Sequence, residues 1–235
     1  MYNSSQTKIL TSIKSTKEAM LVLDKGVDII DFKNPAFGSL SALPIDKIKS
    51  CLKVIPSKQL TSATIGDIYD IEQIKKKTFF LSNTEIDFIK IGFFFDEKKI
   101  KNLSTIKKIS HNKKIIAVLF ADKQPKLNLI KEIKKRNFDG ILIDTLNKGN
   151  GSLRNYLTNN EIKNFIIYAK KESLSIGLAG SLTVKDIEPL RRMYPDYLGF
   201  RGALCMANQR KDDISVVSLN RVLSKFRSFV FQKAI

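Results

Sequence analysis

The sequence predicts an α/β fold, a single-domain (β/α)8 barrel, on three observations. Eight short apolar stretches with strand character alternate with eight helical stretches, joined mostly by short loops. No Gly-x-Gly-x-x-Gly opens the first helix, as a doubly wound dinucleotide-binding sheet would need. Polar and ionisable residues collect at the carboxyl ends of the strands, where parallel α/β folds keep their chemistry. The 235 residues, 43% of them apolar, suit one large domain better than two small ones, with 1–6 as a flexible polar tail.

Residues 8–13 make the first predicted strand. Ser15-Thr16-Lys17-Glu18 is a capping-box start for a helix to Lys25, and Gly26 stops it. The second strand runs from Val27 to Lys33 with alternating faces, Ile30 and Phe32 on one, Ile29, Asp31 and Lys33 on the other. Asn34-Pro35 ends it, because proline has no N–H for a ladder. Ile45, Ile48 and Leu52 space a helix over 45–54, closed by Pro56. A strand at 59–67, a helix at 71–81 and a strand at 86–93 follow. A basic amphipathic helix is expected over 97–110 and a fifth strand over 115–120. Pro125 suits the first position of a helix running to Arg136. The sixth strand, 138–145, leads into the one long Asn/Gly-rich loop, 146–157. Asn159 or Asn160 caps a helix to Lys171, and a strand at 174–179 and a helix at 184–193 come next. The eighth strand, 197–202, and a final helix over 216–231 complete the pattern.

Composition narrows the function. There is no run of about 18 apolar residues, so no membrane span is expected, and the polar start has no signal-peptide core. Cys51 and Cys205 lie far apart with only His111 to help, which argues for a reducing cytoplasm and against a metal site or disulfide framework. The net charge is +18, but 33 of the 41 basic residues are lysine, spread in pairs over predicted helices. No basic run is interleaved with aromatics and there is no Trp, so specific nucleic-acid binding is not expected; attraction of anionic metabolites is. A homo-oligomer is compatible with the sequence, which does not fix the oligomeric state.

The strand ends carry the candidate chemistry. Asp31 and Lys33 stand on the second strand, Asp67 on the third, Lys90 on the fourth, Asp122 after the fifth, and Asp144 with Lys148 after the sixth. Taken alone, Asp31 is equally well explained by a structural salt bridge. A whole rim of such residues is better explained as an active site. A lysine amine that burial and a neighbouring cation keep neutral condenses with a carbonyl to a Schiff base and then serves as an electron sink. Lys33 and Lys90 would point into the mouth, with Lys148 reaching it from its loop and Asp31 and Asp144 orienting them or shuttling protons. Gly180-Ser181 and Arg201-Gly202 follow the seventh and eighth strands, where barrels bind phosphate. The residues alone point to a lysine-dependent lyase or aldolase acting on a small sugar phosphate, with no cofactor and no metal.

Six ordered motifs go further: Asp31-Phe32-Lys33-Asn34-Pro35 with Gly38-Ser39-Leu40, Ser62-Ala63-Thr64-Ile65-Gly66-Asp67, Ile89-Lys90-Ile91-Gly92, Asp144-Thr145 with Lys148, Leu178-Ala179-Gly180-Ser181, and Arg201-Gly202-Ala203. Over nearly the whole chain they resemble the (5-formylfuran-3-yl)methyl phosphate synthase family. The resemblance implies a TIM barrel that condenses two glyceraldehyde 3-phosphate molecules into a phosphorylated furan, losing phosphate and water, in methanofuran-type cofactor biosynthesis. By position it implies that Lys33 is the Schiff-base lysine, Lys90 the proton acceptor, and Asp31, Asp144 and Lys148 further active-site residues. Another class I aldolase on a small sugar phosphate is the alternative. The chain departs from the family at Met206-Ala207-Asn208-Gln209, where glycines are expected, and at Lys123, where a small residue is expected.

Overall fold

The computed structural model describes residues 7–94 and 97–228. Parallel strands close into a barrel in chain order, each paired with its sequence neighbours and the first with the last. They are β1 (Lys8–Ile13), β2 (Ile29–Phe32), β3 (Leu60–Thr64), β4 (Phe88–Gly92), β5 (Lys114–Phe120), β6 (Gly140–Asp144), β7 (Ser175–Leu178) and β8 (Tyr197–Phe200). Between and after them come α1 (Thr16–Asp24), α2 (Ile45–Leu52), α3 (Ile71–Ser82), α4 (Ile106–Ile109), α5 (Leu129–Lys135), α6 (Asn159–Lys171), α7 (Val184–Arg191) and α8 (Val216–Arg227). The single (β/α)8 barrel expected from the sequence is the fold observed. The expected tail at 1–6 and the end of the final helix at 229–231 lie outside the described residues.

Strand alternation sorts the core. Ile9, Ile13, Ile30 and Phe32 pack with Ala19, Val22 and Ile48 in the large layer under the helices. Leu10, Ile29, Ile116, Leu142 and Tyr197 form a smaller cluster inside the barrel. Among the described residues no helix is long and apolar enough to cross a membrane.

Three helices differ from expectation, each for a local reason. The stretch after β4 is a 3-10 helix, Glu97–Leu103, followed by the short α4. Its buried residues Ile100, Leu103 and Ile106 recur every third position, the period of a 3-10 turn rather than of an α-helix. α5 begins at Leu129, not at Pro125. Gln124 first takes a left-handed φ of 48° and donates its amide to the Tyr156 carbonyl at 3.0 Å. α6 is capped by Thr158 and not by Asn159 or Asn160: its hydroxyl accepts the Glu161 N–H while Glu161 accepts the Thr158 N–H. That reciprocal box satisfies two orphan donors where a single Asn would satisfy one.

The amino end of the barrel carries a polar pattern of its own. Every second strand is preceded or entered by an aspartate that accepts a backbone N–H from the strand before it. Asp28 takes Ile9 N–H at 2.7 Å, Asp87 takes Thr61 N–H at 2.7 Å, Asp139 takes Ile115 N–H at 2.8 Å and Asp196 takes Ile176 N–H at 2.7 Å. The strand ends leave these donors unpaired, and a carboxylate makes the stronger, charge-assisted bond. The device recurs around the ring and ties the barrel together at the end away from the site. Asp87 also accepts the Thr61 hydroxyl at 3.1 Å. Asp87→Ala is therefore expected to cost about 1–3 kcal/mol by leaving both Thr61 donors without an acceptor; a urea midpoint equal to that of the unsubstituted protein would remove the clasp from the account.

Candidate active site

Three strands bring the charged residues together. β2 carries Asp31 and leads directly to Lys33, β4 carries Lys90, and β6 ends at Asp144 with Lys148 four residues further along the loop that follows. Their side chains line one cavity of about 510 Å³ at the carboxyl end of the barrel. That volume suits a small metabolite. Lys33 is 7% exposed, Lys90 2%, Asp31 0% and Asp144 3%, so these charges have been taken out of bulk water.

The charges are paired, and the pairs differ in kind. Lys90 Nζ lies 2.5 Å from Asp31 Oδ1. Asp31 also accepts the Ser12 hydroxyl at 2.8 Å and the Ser62 hydroxyl at 2.7 Å. Parallel register explains this: Ser12 and Ser62 stand opposite Asp31 on the two flanking strands. Asp144 accepts from Lys148 at 2.5 Å and from its neighbour's N–H, that of Thr145, at 2.8 Å. Lys33 Nζ sits at 3.5 Å from the other Asp144 oxygen, a loose contact at the limit of a hydrogen bond. Lys33 is thus the least tightly held of the three amines.

Burial works on these groups in opposite directions. It pushes the Lys90 ammonium below the ordinary lysine range, Asp31 pulling it back up and the Lys33 charge pushing it further down. Lys148 is brought down to about 8 by burial, against the pull of Asp144 and with the repulsion of Lys33. Burial alone would raise Asp144, but the Lys148 and Lys33 charges outweigh it and hold the carboxyl well below the usual range. The cavity therefore offers in Lys148 an amine able to release a proton near pH 8, beside an Asp144 carboxylate that stays ionised.

The loops after β7 and β8 face the same space. Gly180, at φ +97°, packs so close to Thr145 that a Cβ there would lie 2.8 Å from its methyl and 2.9 Å from its nitrogen. Ser181 follows at φ 49°. The N–H groups of Gly180, Ser181 and Leu182 find no acceptor among the described residues and border the cavity, as do those of Gly202 and Ala203. Runs of free backbone donors of this kind are suited to accept an anion.

Arg201 borders the cavity, and its guanidinium is held by the protein itself. Its five N–H donors are all committed: to Glu18 Oε2 and Oε1 at 2.7 and 3.1 Å, and to the carbonyls of Ser12, Arg210 and Asp212. Glu18 is saturated in turn, accepting also the N–H groups of Lys14 and Ile214. The carboxylate read from sequence as half of a capping box instead anchors Arg201, and the pair fastens the loop after β8 to β1 and α1. Asp67 and Asp122 likewise hold loops and do not line the cavity. Asp67 accepts Leu40 N–H at 2.7 Å, fixing the turn at Gly38 and Ser39. Asp122 accepts Leu146 and Asn147 N–H at 2.8 and 2.7 Å, which positions the loop that carries Lys148.

Three participants escaped the sequence reading. Ser12 and Ser62 were reachable in principle from strand register. Arg210 was not: it borders the cavity from an irregular loop, donating to the Gly38 carbonyl at 3.3 Å. The same loop holds Ala207 and Asn208 at φ 47° and 57°. This is the stretch where glycines were expected, and it keeps the left-handed backbone that suits glycine without having one.

A model of the 4-HFC-P synthase family matches residues 9–223. A Methylorubrum extorquens protein, provisionally named as a (5-formylfuran-3-yl)methyl phosphate synthase, is 30% identical over 227 residues, covering 96% of this chain and 94% of its own. The (5-formylfuran-3-yl)methyl phosphate synthase of Methanosarcina acetivorans is 29% identical over 217 residues, 86% of this chain and 92% of its own. Among solved structures, phosphoribosyl anthranilate isomerase from Thermus thermophilus superposes with a TM-score of 0.67 at 10% identity, over 94% of this chain and 99% of that one. At that identity the likeness concerns the fold alone.

Proposed function

This chain belongs to the 4-HFC-P synthase family, and from that premise we propose that it condenses two molecules of glyceraldehyde 3-phosphate into (5-formylfuran-3-yl)methyl phosphate through an imine on Lys33. The observation that carries the reading is the meeting of three lysine amines and two carboxylates in one cavity bordered by free backbone N–H groups. Amines serve carbonyl chemistry, and the N–H groups with Arg210 serve phosphate.

Lys33 attacks the aldehyde carbon of the first triose phosphate, and the hydroxyl leaves as water to give the iminium. The Lys90–Asp31 pair removes the proton from the adjacent carbon, leaving an enamine. That carbon bonds to the aldehyde carbon of the second triose phosphate, whose oxygen takes up a proton. Ring closure onto the imine carbon frees Lys33. Atom balance requires the loss of one orthophosphate and two waters for each furan formed from two triose phosphates, and the Asp144–Lys148 pair supplies the protons that the leaving oxygens need. No cofactor enters, and the work is that of a cytoplasmic enzyme of methanofuran-type cofactor biosynthesis.

Incubation with glyceraldehyde 3-phosphate tests this directly: a product with strong ultraviolet absorbance and the mass of the furan phosphate should accumulate with one equivalent of orthophosphate. A non-aromatic hexose bisphosphate would instead identify an ordinary class I aldolase. Lys148 adds a pH signature. With its ammonium brought down to about 8 by burial and needed in the protonated form to supply those protons, kcat/KM should fall as the pH rises through about 8. Lys148→Met should lose that limb along with about 10²–10⁴-fold in rate; a variant that keeps the limb would assign it to another group.

A further inference from the structure

A second cavity, of about 350 Å³, enters the barrel from its amino end and reaches the underside of the site. It is layered. Lys8 and Lys114 stand exposed at its rim, and neither makes an ion pair among the described residues. The wall is apolar: Leu10, Ile29, Leu60, Phe88 and Ile116. At the floor lie Ser62, Lys90 and Tyr197. Tyr197 is 8% exposed and its hydroxyl makes no hydrogen bond among the described residues. The ring of Tyr197 lies where a side chain at 177 would go: a Cβ on Gly177 would be 2.1 Å from it. Glycine at that position thus admits the tyrosine to the barrel interior.

Unlike the hydroxyl of Tyr156, which is fully buried without a partner among the described residues, that of Tyr197 keeps access to this cavity, so its donor is open to an acceptor that enters there. Asp139 and Asp196 also border the rim, but both are engaged with strand N–H groups, and Asp139 is paired with Lys107 at 2.6 Å. Among the described residues, the rim's charges that no carboxylate neutralises are the two ammonium groups, that of Lys114 standing 5.6 Å from the centre of the Phe88 ring. A cationic rim, an apolar ring-sized wall and a hydrogen-bond donor at the floor describe the complement of one ligand class.

We infer that the amino-end cavity is a second binding site, taking a one-ring aromatic anion that carries a hydrogen-bond acceptor opposite its charge. The anion meets Lys8 and Lys114, the ring meets Leu60, Phe88 and Ile116, and the acceptor receives the Tyr197 hydroxyl. Because Ser62 and Lys90 both contact Asp31, an occupant bears on the floor of the active site from below. Under the reading proposed above, the reaction's own product, a phosphorylated aromatic aldehyde, falls in this class; the site's existence is tested without turnover and does not depend on that reading.

The probe is 4-nitrobenzoate, which has the ring, the charge and the opposed acceptor but no carbonyl for a lysine to condense with. Calorimetric titration of the unsubstituted protein should give saturable one-site binding with Kd of about 1 mM or tighter. The Lys8→Glu/Lys114→Glu variant, changed only at exposed positions, should bind at least about tenfold more weakly, and Tyr197→Phe about fivefold. Lys33→Arg, altered at the opposite mouth, should bind unchanged. Absence of saturable binding to the unsubstituted protein would overturn the proposal. So would weakening by Lys33→Arg with none by the rim variant, which would put the probe in the active site.

Discussion

Lys33→Ala should lose covalent trapping of triose phosphate by borohydride and about 10³-fold or more of furan formation. The reasoning starts from what each amine can do. Lys90 and Lys148 are each held at 2.5 Å by a carboxylate, whereas Lys33 touches Asp144 only at 3.5 Å. A nucleophile must leave its partner to attack, so the loosely held amine reacts at least cost. Lys33 also stands beside both other amines, and its charge helps to depress theirs. The iminium formed on Lys33 carries a positive charge, so Asp144 has a counter-charge in the intermediate. Loss of a covalent nucleophile typically costs several orders of magnitude in kcat, because the steps it separates merge into one difficult step. Lys33→Arg is the companion variant: it preserves the cation beside Asp144 but cannot form an imine, so it should fold normally and remain untrapped. Full-yield labelling of Lys33→Ala would move the imine to Lys90 or Lys148.

Glu18→Ala should destabilise the protein by about 3–5 kcal/mol, more than any other surface-remote substitution considered. It removes the partner of a guanidinium that is 9% exposed, and an uncompensated buried charge is what makes broken buried pairs expensive. It also frees the N–H groups of Lys14 and Ile214. The loop after β8 should loosen, taking with it the N–H groups of Gly202 and Ala203 and the Arg210 side chain, so KM for the triose phosphate should rise as well. Replacing the pair together with apolar residues of similar volume, Glu18→Leu with Arg201→Met, should restore much of the stability but not the KM. Urea unfolding and steady-state kinetics on the two variants check both halves. If Arg201 were instead a phosphate ligand, Glu18→Ala would leave the unfolding midpoint where it was.

What the sequence determined by itself is the barrel and the charged residues that gather at its mouth. Each strand is a short apolar run whose alternation is local, and each charge at a strand's end is costly there unless it has a task, so position along the chain already implied the site at Asp31, Lys33, Lys90 and Asp144. Helix details were less legible where the signal was tertiary. Ile100, Leu103 and Ile106 fit an amphipathic helix by eye, but their spacing of three was the cue to the 3-10 turn that packs them. Pairing lay beyond the sequence altogether. Whether Arg201 binds a phosphate or braces a loop depends on whether Glu18, 183 residues earlier, comes within reach of its guanidinium. Only closure of the ring, which sets β1 beside β8, decides that. Register between β1, β2 and β3 brings Ser12 and Ser62 to Asp31, and the pairing of β7 with β8 sets Gly177 beside the Tyr197 ring. Contacts between residues far apart in the chain carry no local propensity to betray them; they exist because eight strands of the right twist meet end to end.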